Sequence, residues 1–317
     1  MGMGRIFSSA SGQRVAILLC TFNGAEFLEE QLESIVKQTH PDWILYASDD
    51  GSSDRTLEIL NSFRARLGAD RVKIFEGPRQ GFAKNFLSLI KNPVVQGDFY
   101  AFCDQDDIWY ENKLARGLRY ASSGKAGQPF LFCSRTRLID ASGRVIGFSP
   151  LFTKEPTFHN ALVQSLAGAN TMLLNGAARA LLVSAPGDVH IVSHDWLAYI
   201  LVSGCGGRVV YDREPSLDYR QHGANLIGSN ISLGDRWRRI KKMYSGTFRE
   251  WNDDNLRAIR GARKFFTYEN RVVLCRFVLA RKSRLLARIW LFKGAGLYRQ
   301  TVLGNIGLVV AGSIRRL

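Results

Sequence analysis

From Arg14 onward, short apolar runs alternate with amphipathic segments. Val15–Cys20 is apolar throughout, as in a strand buried on both faces. Phe27, Leu28, Leu32, Ile35 and Val36 then recur at helical spacing, and the stripe stops before Pro41. Trp43–Ala47 predicts a second strand. A helix burying Leu57, Leu60, Phe63 and Leu67 follows, with Ser52 or Ser53 as its cap. Val72–Phe75, a short helix over 82–91 and the run Phe99–Cys103 repeat the same alternation. Repeated β-α-β units imply a mostly parallel, doubly wound α/β sheet with ligand sites at the C-terminal ends of its strands.

After Tyr120 the order changes. Phe130–Ile139 predicts one strand, and Asp140–Gly143 a turn into Val145 and Ile146. Ala169–Leu174 and Arg208–Tyr211 predict further strands, and residues 195–203 a helix. Beyond Gly234 the chain predicts helices dense in Arg and Lys. The reading divides the chain into a loose leader (1–13), an α/β domain (14–233) and a basic, aromatic-rich helical C-terminal region (234–317).

Charge sharpens that division. Residues 1–233 carry 23 Lys and Arg against 23 Asp and Glu, whereas residues 234–317 carry 20 against 5, which is the whole net charge of +15. A neutral body with a basic tail points to a polyanionic partner, a membrane face or a nucleic acid. The tail mixes its cations with Trp237, Trp251, Phe265, Phe266, Phe277, Trp290 and Phe292, which suits an anionic membrane surface. The competing expectation is a packed helical appendage with solvated charges.

The start of the chain has no signal-peptide pattern, and Ile6 stands where a myristoylation signal takes Ser or Thr. No run is long and apolar enough for a membrane span; Thr301–Ile314 is too short. Five scattered cysteines without a CxxC pair argue for a reducing compartment, against a disulfide framework and against a zinc site.

The chemistry concentrates at predicted strand ends. Asp104-Gln105-Asp106-Asp107, with Glu111 close behind, follows a buried strand, and such clustered charge calls for a cation. Oxygen ligands favour Mg²⁺ or Mn²⁺, which can bridge carboxylate and diphosphate. Cys20-Thr21-Phe22-Asn23-Gly24 suits a base, ribose or phosphate at a strand-to-helix turn, or is an ordinary turn. Asp49-Asp50-Gly51-Ser52 offers a carboxylate for the N3–H of uracil or thymine, or is a turn with a helix cap. Ser193-His194-Asp195-Trp196 opens a helix, where Asp195, or less favourably His194, can act as a general base. Tyr219-Arg220-Gln221-His222 offers a cation for phosphates and an imidazole for a metal.

As a set and in this order, CTFNG, DDGS, DQDD, HDW and YRQHGAN resemble a family 2 glycosyltransferase with the GT-A fold over roughly residues 14–228. The closest resemblance is to the bacterial rhamnosyltransferase-like branch that builds surface polysaccharides. That resemblance implies an inverting, metal-dependent transfer from a dTDP- or UDP-sugar, with dTDP-rhamnose first, to a glycan or lipid-diphosphate-linked acceptor. The basic, aromatic-rich tail is expected to hold the enzyme at the inner face of the cytoplasmic membrane, near such an acceptor.

Thr21, Phe22, Asn23, Asp49 and Asp50 then fall at the nucleoside, Gly81 and Asn85 at a donor-side motif, and Arg220 at the phosphates. Asp104 and Asp106 match the metal pair, completed by His222, and Asp195 the catalytic base. Leu197 stands where branch members often carry a second Trp. A sugar nucleotidyltransferase would share a related sheet, but its glycine-rich, lysine-bearing opening motif is missing. A non-catalytic nucleic-acid-binding protein would explain the tail and leave the acid cluster unexplained.

Overall fold

A computed structural model describes residues 13–186, 189–222 and 246–317. Residues 1–12 of the expected leader, Gly223–Asn225 of the YRQHGAN motif and Trp237 lie outside the described residues.

The first half runs β1 (Val15–Thr21), α1 (Leu28–Val36), β2 (Trp43–Asp49), α2 (Thr56–Leu67), β3 (Val72–Glu76), α3 (Phe82–Lys91) and β4 (Phe99–Cys103). It continues through β5 (Ile108–Trp109), α4 (Lys113–Ala121), β6 (Phe130–Ser134), β7 (Arg137–Asp140), β8 (Val145–Phe148) and α5 (Phe158–Ala161). Then come β9 (Leu173–Asn175), α6 (Gly176–Val183), α7 (His194–Gly204), β10 (Arg208–Asp212) and β11 (Leu217–Gln221). Four helices close the chain, at Thr247–Ala258, Tyr268–Lys282, Leu285–Gly294 and Val302–Ser313.

The main sheet has the order β10-β6-β9-β4-β1-β2-β3, and only β9 runs antiparallel to its neighbours. A smaller sheet, β5-β11-β7-β8, stands beside it. Strand β1 shows why its run is apolar without alternation. Val15, Ile17 and Leu19 enter one core with α1, α2 and α4, while Ala16, Leu18 and Cys20 enter the other with α3, α6 and α7.

The predicted strand Phe130–Ile139 is two strands in different sheets. Arg135 and Thr136 leave the main ladder: Arg135 donates its N–H to the Asp212 carbonyl at 2.9 Å and Thr136 donates to the Ser149 hydroxyl at 3.0 Å. The predicted strand over Ala169–Leu174 starts as a 3₁₀ turn, Ala169–Thr171, before β9. Helix α2 starts later than the serines imply. Asp54 accepts the Thr56 N–H at 3.0 Å, and the Ser52 hydroxyl is spent on Asp49.

The C-terminal helices are docked on the body rather than detached from it. Asn270 donates to the Ser203 and Gly204 carbonyls at the end of α7, both at 3.0 Å. Phe266 packs edge-on against Phe158, and Trp251 against Trp196. Phe266 and Phe277 are buried, so the tail's aromatics divide between core and surface.

Candidate active site

Parallel pairing aligns the ends of three strands. β1 meets β2 through Thr21 opposite Asp49, and β4 through Leu19 opposite Cys103. The CTFNG, DDGS and DQDD segments therefore emerge together at one edge of the sheet.

Asp49 spends its acceptor capacity on its own turn and on Thr21 of β1. It takes the N–H groups of Ser52 at 2.8 Å and Gly51 at 3.2 Å, and the hydroxyls of Thr21 at 2.9 Å and Ser52 at 2.5 Å. Four donors fill a carboxylate, so the expectation of a pyrimidine contact does not fit this residue. Among the described residues Asp50 accepts only the N–H groups of Arg79 at 2.7 Å and Gly81 at 2.8 Å, which leaves capacity on the same side chain. Gly81 adopts φ +84° where that loop turns into α3.

Asn85 faces inward. Its Oδ1 accepts from the Ser48 hydroxyl at 2.6 Å and its Nδ2 donates to the Ser48 carbonyl at 2.9 Å. At 1% exposure it locks α3 to β2 and presents nothing to a ligand, which corrects the expectation of a donor contact. Asn23 holds a positive φ of 48°, accepts the Ser53 N–H and donates its own N–H to Ser52, each at 2.8 Å. Phe22 is left 57% exposed at this edge.

Gln105, which the sequence reading gave no role, bridges two of the segments. Its Oε1 accepts the Phe22 N–H at 2.8 Å and its Nε2 donates to the Phe22 carbonyl at 3.1 Å. A Cβ on Gly24 would lie 2.3 Å from Gln105 Oε1, so the glycine makes room for this clamp. That glycine was the one sequence signal of the contact.

The three aspartates of DQDD diverge. Asp107 is buried, accepts from Asn170 at 2.6 Å and leaves Oδ1 without a partner among the described residues. Burial, with Asp106 and Asp104 behind it, holds its pKa well above the ordinary carboxylate range. Glu111 is exposed and, among the described residues, contributes only its carbonyl, to Thr39.

Asp106 meets the His222 ring nitrogen at 2.8 Å. Asp104 is half-buried, and its pKa is raised to about 7 by burial first, then by the charges of Asp106 and Asp195. Folding thus brings Asp195 into the field of Asp104 from far along the chain. Asp195 sits in the first turn of α7, accepts the Trp196 N–H at 2.7 Å, and is itself raised by burial.

Two expectations change here. His194 is buried against Phe86, with ring centroids 4.1 Å apart, and edge-on to Phe102 at 4.7 Å. Both ring nitrogens lack partners among the described residues, and burial lowers the pKa to about 3, so this ring is a neutral core residue rather than a base. Arg220 is also buried. It pairs with Glu30, donates to the Asp106 and Ala141 carbonyls at 3.1 Å, and lies over the Phe27 ring. These donors hold the backbone beneath the acid pair instead of reaching toward a phosphate.

Asp104, Asp106 and His222 form a hard-oxygen and imidazole donor set, and the mutual repulsion raising Asp104 is what a divalent cation would relieve. No group of three His, Cys, Asp or Glu stands ready as a metal cage among the described residues. The set fits a cation that takes its remaining ligands from substrate phosphates, as Mg²⁺ commonly does.

Residues 16–165 match the family model described as Glycosyl transferase family 2. A dTDP-rhamnosyl transferase, RfbG of Shigella flexneri, is 29% identical over 236 residues, 70% of this chain and 78% of that protein. S. aureus TarS 1-349 in complex with UDP-GlcNAc superposes with a TM-score of 0.54 at 15% identity, covering 90% of this chain and 93% of that one. A mannosyltransferase from Pyrobaculum calidifontis, in complex with GDP-Man and Mn²⁺, gives a TM-score of 0.52 at 15% identity, over 96% and 87%. Strand-tip geometry, sequence match and shared GT-A architecture agree, and over residues 16–165 the chain is similar to family 2 glycosyltransferases.

Proposed function

We propose that this glycosyltransferase moves rhamnose from dTDP-rhamnose, with inversion, onto a glycan or lipid-diphosphate-linked acceptor of a surface polysaccharide. Residues 14–233 would form the catalytic unit, and 234–317 the appendage facing the cytoplasmic side of a membrane. The observation that carries the transfer mechanism is the gathering of Asp195 with Asp104, whose partner Asp106 is joined to His222. The donor choice is supported by likeness to the Shigella dTDP-rhamnosyl transferase.

The nucleoside end of the donor would lie along Phe22 and Asp50, the exposed ring and the carboxylate with spare capacity at the ends of β1 and β2. Asp104, Asp106 and His222 would hold Mn²⁺ or Mg²⁺ against the diphosphate. When bound, that ion supplies charge neutralisation for the departing nucleoside diphosphate. Asp195 would remove the proton from the acceptor hydroxyl as its oxygen attacks the anomeric carbon from the face opposite the diphosphate. The raised pKa of Asp195 makes it a better proton acceptor than an ordinary aspartate. One displacement forms the new glycosidic bond and breaks the old one, so the anomeric centre inverts.

Nucleoside diphosphate release across a panel of dTDP- and UDP-sugars tests the donor, and a faster rate with another sugar would replace rhamnose. Asp195→Asn should abolish transfer while donor affinity stays near that of the wild type. Retained turnover in that variant would remove Asp195 as the base.

A further inference from the structure

Basic charge and exposed apolar side chains coincide at the end of the chain. Residues 270–317 contain ten Lys and Arg and no Asp or Glu. Within them, the helix Leu285–Gly294 leaves Leu286 84% exposed and Trp290 74% exposed, with Ile289 beside them. The next helix, Val302–Ser313, leaves Val302 at 77%, with Leu303, Ile306 and Val309 also exposed.

These positions follow helical spacing, so each helix carries an apolar stripe. The opposite sides are engaged. Arg288 is buried and donates to the carbonyls of Gly312 at 3.2 Å and Ser313 at 3.0 Å. Phe292 approaches Phe277, and Leu308 and Ala311 enter the main core. The stripes are therefore not helix faces waiting to fold onto the body.

Lys282, Arg284 and Lys293 are exposed around the first stripe, and Arg315 and Arg316 follow the second. A nucleic acid would use the cations but gains little from exposed Leu, Ile and Val. A bilayer interface uses both: apolar side chains and a Trp enter the headgroup boundary while cations meet anionic lipid. No helix among the described residues is long and apolar enough to cross a membrane, so contact of this kind is peripheral.

We infer that the helix pair Leu285–Gly294 and Val302–Ser313 is a docking surface for an anionic lipid bilayer, seated through the two apolar stripes and the surrounding Lys and Arg. This deepens the membrane setting proposed above and narrows it from the whole basic tail. Trp251, Phe266 and Phe277 belong to internal packing, while Trp290 belongs to the interface.

The test is co-sedimentation of the full chain with vesicles of phosphatidylcholine, alone or with about one third phosphatidylglycerol. The wild type should bind the anionic vesicles and bind neutral ones far less. Leu286→Asp with Trp290→Asp, and separately Val302→Asp with Ile306→Asp, should each weaken binding by about tenfold or more. These side chains are on the surface, so the variants should melt as the wild type does. Their nucleoside diphosphate release with a water-soluble acceptor should also be unchanged. Failure to transfer sugar would count against the catalytic proposal, and the vesicle result is read separately from it.

A weakening in either double variant supports docking. Wild-type binding by both double variants, equal binding to neutral and anionic vesicles, or no binding to either would overturn it. So would a wild-type dimer that the variants convert to monomer without change in vesicle binding, because the stripes would then serve a second copy.

Discussion

Replacing Asp104 with Asn should stabilise the metal-free protein, and should do so mainly at alkaline pH. Burial and the neighbouring charges of Asp106 and Asp195 raise this carboxyl to about 7, against about 3.9 in an unfolded chain. With the folded pKa above the unfolded one, the contribution to stability is full below about pH 4 and is lost as pH rises through about 7. A shift of about three units corresponds to at most about 4 kcal/mol. Asp104 is half-buried, and water and counter-ions screen part of this, leaving ~1–2 kcal/mol. In EDTA at about pH 8, Asp104→Asn should melt ~2–5 °C above the wild type, and at about pH 4 within ~1 °C of it. Differential scanning fluorimetry at the two pH values reads the difference directly. A variant no more stable than the wild type at the higher pH, or equally stabilised at both, would refute an electrostatically strained acid pair. Addition of Mn²⁺ should reverse the ranking, because the wild type then gains what the variant cannot.

Two further substitutions probe the neighbouring segments. Gln105→Ala removes both hydrogen bonds to the Phe22 backbone and should weaken donor binding by up to ~tenfold with little change in melting temperature; unchanged donor affinity by calorimetry would show that the clamp is not needed. Asn85→Ala strands the Ser48 hydroxyl and carbonyl in the core and should cost about 2–4 kcal/mol in urea unfolding. A loss below ~0.5 kcal/mol would show that water replaces the amide.

Much of the scaffold was legible because its physics is local. Apolar runs such as Val15–Cys20 and Phe99–Cys103 have the length and composition of strands buried on both faces, and their spacing with amphipathic helices leaves a parallel sheet as the simple packing solution. The break at Arg135 and Thr136 was not legible, because both halves of Phe130–Ile139 carry strand-like residues and only tertiary pairing sends them to different sheets. The aromatics of the tail were equally ambiguous. Phe277 and Trp290 look alike in sequence, and only helix packing buries one and exposes the other.

The acid cluster marks the same boundary between sequence and structure. Sequence determined that negative charge gathers after β4, that acids also end β2, and that the basic charge lies in the last part of the chain. Tertiary structure decided what each group does. Asp49 is filled by its own turn and Thr21, Asp50 keeps spare acceptor capacity, and Arg220 lies under the backbone of Asp106. It also set His222 2.8 Å from Asp106 and brought Asp195 into the field of Asp104. Residue type fixes which chemistry a side chain can perform, but its charge state and free lone pairs depend on neighbours that only the folded chain supplies.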